Sequence, residues 1–203
     1  MPHAPSSHKR TLILITGYAR AGKDTLADGI VEGAKHNVLR HNFADALKQR
    51  CDYFLESLDV GGADSPSSFY NDDFKVRNRQ FLVVAGTLAR SLDPDVFAKA
   101  LINRCEQHEE NMADVGEACT VVCSDWRYSN EYFVPMLLLG VWGWDIYTVS
   151  VDTLGITAAC EEEGKSIGGI LRECPVNVSF TFAPNNSQVI RAEGKHLART
   201  LGL

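Results

Sequence analysis

Between Thr11 and Ala27 the chain reads TLILITGYARAGKDTLA, and Gly17, Gly22 and Lys23 fall there at the spacing GxxxxGK. Two glycines five residues apart let the backbone curl so that its amides converge on one anion, and a helix opening at Lys23 adds its positive N-terminal dipole. Arg20, Ala21 and Thr25 complete the loop, and the mobile charge of Lys23 suits the β and γ phosphates of a nucleotide. ATP or a close relative is the expected ligand.

Asp24 stands where loops of this shape usually carry a hydroxyl that holds magnesium. A carboxylate is also a hard oxygen donor, and Mg2+ accepts one or two of them beside waters and phosphate oxygens. Asp24 is therefore expected at the metal, directly or through water, or else as a favourable charge at the helix start. Thr25 is then free for an α-phosphate oxygen.

The elements that must position this loop can be read from periodicity. TLILIT is a buried strand, and Leu26, Ala27, Ile30, Val31 and Ala34 recur at helical spacing after it. VLRHNF, to Phe43, reads as a second strand, which makes a right-handed parallel unit. ADALKQRCDYFLESL predicts a helix that packs on the sheet through Ala46, Leu47, Cys51, Phe54, Leu55 and Leu58. Residues 61 to 73 predict a long mobile loop. Helices follow near 75 to 91 and 95 to 112, the second capped by Asp93 before Pro94. ACTVVCSD is a strand ending at Asp125, NEYFVPMLLLG a helix that starts late or bends at Pro135, and WDIYTVSV and VNVSFTF two more strands. Residues 152 to 174 carry no clear pattern, and the chain closes on an amphipathic helix. Five parallel strands alternating with helices predict a three-layer α/β fold whose ligands lie beyond the carboxyl ends of the strands, where Gly17 and Asp125 fall.

At 203 residues, 45% hydrophobic and 23% charged, the chain has the composition of one ordinary globular domain. A formal charge of -6 disfavours a broad cationic surface for duplex nucleic acid. The polar start MPHAPSSHKR lacks the apolar core of a secretion signal, and no run approaches a membrane span, so no membrane partner and a cytoplasmic setting are expected. The six cysteines lack CxxC spacing and read as free thiols; the six histidines read as surface residues.

GYARAGKDT resembles the phosphate loop of the phage-type deoxynucleoside monophosphate kinases. FADALK, RQFLVVAGTLAR, DPDVFAKAL and SDWRYSNE follow in that family's order, over about residues 11 to 150. The resemblance implies a P-loop kinase fold of the adenylate kinase type and transfer of the γ-phosphoryl of ATP to a deoxynucleoside monophosphate, in a phage-encoded case in the host cytoplasm. Asp125 is placed like the second acid that orients magnesium, and Arg127 can offer a bidentate fork to the acceptor phosphate or the transferring group. Lys23, Asp125 and Arg127 are thus the expected catalytic set, with Asp24 and Asp125 on the metal. By the same resemblance Arg79 and Arg90 grip the acceptor phosphate, Lys48 joins them, Gly86 and Thr87 match, and Glu131 reads as a helix-start carboxylate. The expected layout is one domain over 1–203: a flexible tail over 1–10, a helical acceptor-binding region over about 45–112 and a lid-like segment over about 152–174. A homodimer stays open.

Two positions depart from the pattern. Val83 replaces a glutamine suited to reading a base edge, which implies altered base preference or core packing. The segment 152–174 offers only Lys165 and Arg172 where such kinases bring arginines over the phosphates, and Arg20 is the candidate to compensate. These departures leave room for a kinase acting on a 5-hydroxymethylpyrimidine in phage DNA, the one reading in which DNA is a partner. A nucleotide-binding module without turnover is the third reading, against which Lys23, Asp125 and Arg127 stand.

Overall fold

The computed structural model describes residues 9–59 and 68–203. The branched apolar run Arg10–Thr16 forms β1, buried at every position, at the centre of a five-stranded parallel sheet ordered β2-β3-β1-β4-β5. Its neighbours are β3, Cys119–Cys123, and β4, Asp145–Thr153, so that Leu12 lies between Val121 and Ile146. The edges are β2, Val38–Arg40, and β5, Val178–Phe182.

Successive side chains of a strand face opposite ways, so a strand covered on both faces must be apolar throughout. Leu12 and Leu14 enter one core, with Cys119, Val121 and Cys123 and with residues of α2 (Phe43–Ser57), α5 (Val96–Val115), α6 (Asn130–Val141) and α7 (Glu161–Glu173). Ile13 and Ile15 enter the other, with α1 (Lys23–Gly33) and α8 (Ser187–Leu201). Two helical layers therefore sandwich the sheet, a three-layer α/β arrangement. The remaining helices, α3 (Asp72–Arg77) and α4 (Arg79–Leu92), bury almost nothing on the strands; α4 buries only Gly86.

Several boundaries differ from those read in the sequence. Arg10, assigned to the tail, is the buried first residue of β1 and pairs with Glu109 at 2.8 Å; the rest of the tail up to residue 8 lies outside the described residues. β2 stops at Arg40 and Phe43 already belongs to α2, because Asp45 turns back to accept the Asn42 amide at 2.8 Å and so starts the helix. On α2 only Phe43 and Cys51 are buried: Phe54 stacks on Phe81 of α4 at 6.2 Å, and Leu58 is exposed, so its second half stands off the sheet. Of the long loop expected over 61 to 73, residues up to 67 lie outside the described ones, Phe69 is buried and its amide donates to Asp52 at 2.8 Å.

The helix expected near 75 to 91 is two helices that break at Asn78, whose side chain donates to the Phe74 carbonyl at 2.9 Å. Asp93 closes α4 and accepts the Asp95 amide at 3.0 Å, leaving Asp95 as the residue before α5. α6 starts at Asn130 and contains Pro135; the patternless 152 to 174 contains α7. Five of the six free cysteines are buried, and His108, expected at the surface, is buried between α5 and β3. Among the described residues no helix is long and apolar enough to cross a membrane.

Candidate active site

The turn from β1 into α1 requires its glycines. Gly17 has φ 142°, and a Cβ there would lie 2.1 Å from the Val151 carbonyl oxygen; Gly22 has φ 92° and directly precedes the helix. Arg20, at the tip, also has a positive φ and is exposed. The Thr153 hydroxyl ties the loop to β4 by donating to the Ala21 carbonyl at 3.0 Å. Lys23 Nζ donates to the Tyr18 carbonyl at 2.7 Å. Burial first, and the charge of Arg127 second, lower the pKa of Lys23 below the ordinary lysine value.

The ends of the first three strands converge on this loop. From the end of β2, Arg40 reaches Asp24 at 2.8 Å and also pairs with Asp28; from the end of β3, the Ser124 hydroxyl donates to the same Asp24 Oδ1 at 2.6 Å. Asp125 accepts the amides of Phe43 and Ala44 at 2.8 and 3.0 Å, and Asn42 accepts the Ser124 amide at 2.8 Å. Asp125 thus holds the start of α2 against the end of β3. Arg127 is exposed, with Nη1 3.9 Å from Glu163 Oε1 of α7, and that oxygen also accepts the loop amide of Ala19 at 3.1 Å.

Glu131 organises the next layer. It is buried, its Oε2 accepts the amides of Arg127 and Tyr128 at 2.8 and 3.1 Å, and its Oε1 lies 3.5 Å from Arg90. Burial raises its pKa to about 7 despite these donors. Arg90 is gripped between the rings of Phe97 and Tyr128, at 4.5 and 4.4 Å, so its guanidinium is fixed beside the Arg127 turn.

The other acceptor candidates stand farther along the α2 and α4 pair. Lys48 is half-buried, pairs with Asp45 at 3.0 Å and lies over the Tyr70 ring. Arg79 is exposed at the start of α4 and has no polar partner among the described residues. Val83 is 48% exposed, which removes core packing as the reason for an aliphatic side chain there. Gly86 lets α4 approach Leu47 of α2, since a Cβ would meet that side chain at 3.2 Å. A cavity of about 450 Å³ lined by Met136, Leu137, Val141 and Trp144 opens on α6 and contains none of these residues.

Sequence reasoning missed Arg40, Ser124 and Glu163. The first two were findable, because they end β2 and follow β3, the side of the sheet where ligands gather. Magnesium carried by a nucleotide needs only one or two protein oxygens. The donors fit: Asp24 Oδ2 has no hydrogen bond among the described residues, and Asp125 lies near enough, with Asp24, to act on the charge of Lys23.

No protein-family model matches the chain, and no curated protein matches its sequence. Among solved structures, an unliganded sugar kinase from Janibacter sp. HTCC2649 is similar at 10% identity and TM-score 0.48, covering 96% of both chains. A provisionally assigned kinase from Chloroflexus aurantiacus j-10-fl is similar at 11% identity and TM-score 0.46, covering 95% of this chain and 98% of its own. Neither likeness, at that identity, speaks to what this chain acts on.

Proposed function

We propose that the loop Gly17 to Thr25 binds the phosphates of ATP and that the chain transfers the γ-phosphoryl to a deoxynucleoside monophosphate. The observation that carries this reading is the anion site of the loop: the Ala19 amide holds a carboxylate oxygen at 3.1 Å, with Arg127 3.9 Å from it. In-line transfer needs positioning and neutralised charge more than a strong base. Lys23 serves the β and γ phosphates, and Arg127 serves the transferring group. Arg90, immobilised by two rings, and Arg79, exposed at the start of α4, serve the acceptor phosphate, and Val83 serves the acceptor from α4. Asp125, which accepts the Phe43 and Ala44 amides and so holds the start of α2 near the loop, serves as the second acid at the metal. Asp24 and Asp125 would hold Mg2+, which would supply neutralisation of charge on the phosphate oxygens, and Thr25 would serve an α-phosphate oxygen.

The test is ADP release from ATP and magnesium with each of the four common deoxynucleoside monophosphates and a hydroxymethylpyrimidine oligonucleotide. The expected result is turnover with at least one monophosphate and no labelled oligonucleotide. Labelling of the oligonucleotide alone moves the acceptor to DNA, and ATP binding without any turnover leaves a binding module.

A further inference from the structure

Helix α7 opens with Glu161, Glu162 and Glu163, and only the third is buried. Its two carboxylate oxygens do different things. Oε2 accepts the Ala159 amide at 2.8 Å, a contact within the start of α7 itself. Oε1 accepts the Ala19 amide at 3.1 Å, 144 residues away, and lies 3.9 Å from Arg127. An ordinary helix-start carboxylate needs only the first of these. The second places a negative oxygen on a backbone donor of the phosphate loop and on the arginine beside it, the pair that a phosphate oxygen would use.

We propose that Glu163 is an anionic latch: it competes with nucleotide phosphate for the Ala19 amide and Arg127, so that binding requires the first turn of α7 to leave the loop. The idea rests on the reading of Gly17 to Thr25 as a nucleotide phosphate site, and it gives the segment 152–174 a role that its single lysine and single arginine do not suggest. A triphosphate brings several charged oxygens against one carboxylate, and so wins the loop at a cost in affinity. Release of Glu163 also frees Arg127, which couples occupancy of the loop to availability of the arginine.

The test is equilibrium titration of inorganic tripolyphosphate, and of ATP, into the full chain and into Glu163→Gln and Glu161→Gln. Glutamine keeps the shape of Glu163 and an oxygen for the Ala159 amide but removes the charge. Glu163→Gln is expected to bind both probes ~tenfold tighter, the order of one charged hydrogen bond, while Glu161→Gln, exposed in the same turn, changes less than twofold. Equal affinity of wild type and Glu163→Gln, or an equal gain in both variants, overturns the latch and leaves the phosphate site standing. Failure of every form to bind either probe overturns the phosphate site and the latch with it. Hydrogen exchange on the wild type covers a poorly folding variant: amides 159 to 165 are expected to exchange faster with tripolyphosphate, and unchanged or slower exchange overturns the latch.

Discussion

Glu131 shows how one buried carboxylate can set the geometry of two arginines. It receives the backbone of the Arg127 turn and pairs with Arg90 at 3.5 Å, and burial raises its pKa from 4.5 to about 7. Between those values the folded chain keeps a proton that the unfolded chain has released, so stability falls as pH rises from about 4.5 to 7. At about 1.4 kcal/mol per pH unit the effect is at most ~3 kcal/mol. Glu131→Gln removes this titration. Urea unfolding should therefore show the variant gaining on the wild type across that window; a difference that stays flat with pH would contradict the account. The helix-start role of Glu131 was legible in DWRYSNE, but its link to Arg90 was not, since the two lie far apart in the chain. Glu163 was hidden the same way, with a partner 144 residues distant.

At the level of elements, α1 and α8 pack so closely that a side chain has no room between them. A Cβ on Gly194 would lie 2.3 Å from the Leu26 carbonyl oxygen, and one on Gly29 2.2 Å from that of Arg191. Gly194→Ala should therefore destabilise the chain by roughly 1–3 kcal/mol or more through forced separation of the helices. Gly140→Ala in α6, where a Cβ meets nothing within 4 Å, should instead stabilise by up to ~1 kcal/mol through helix propensity. Denaturant midpoints of the two variants check this, and a shift in the same direction for both would count against it. Strands and most long helices, α7 excepted, were legible because their apolar spacing is dictated by two buried layers. The break at Asn78 and the start of α2 were not, because each is decided by a single side chain bonding to the backbone. The outward face of α2 misled for another reason: its partner is α4, and apolar spacing does not say which surface a helix meets.

Across the whole molecule, the sheet order β2-β3-β1-β4-β5 brings the ends of β1, β2 and β3 to one place, where Lys23, Arg40 and Arg127 gather in a chain of net charge -6. Five parallel strands and the loop were legible in the sequence; the order that sets Ser124 against Asp24 was not, because strand pattern carries no record of its neighbours. The central claim is that this convergence holds the phosphates of a nucleotide through the loop. Calorimetric titration of ATP with magnesium into the wild type and Lys23→Met tests it most directly. One site per chain is predicted in the wild type, weakened at least ~100-fold in Lys23→Met by loss of a charged phosphate contact. No binding to the wild type, or equal binding to both, would contradict it.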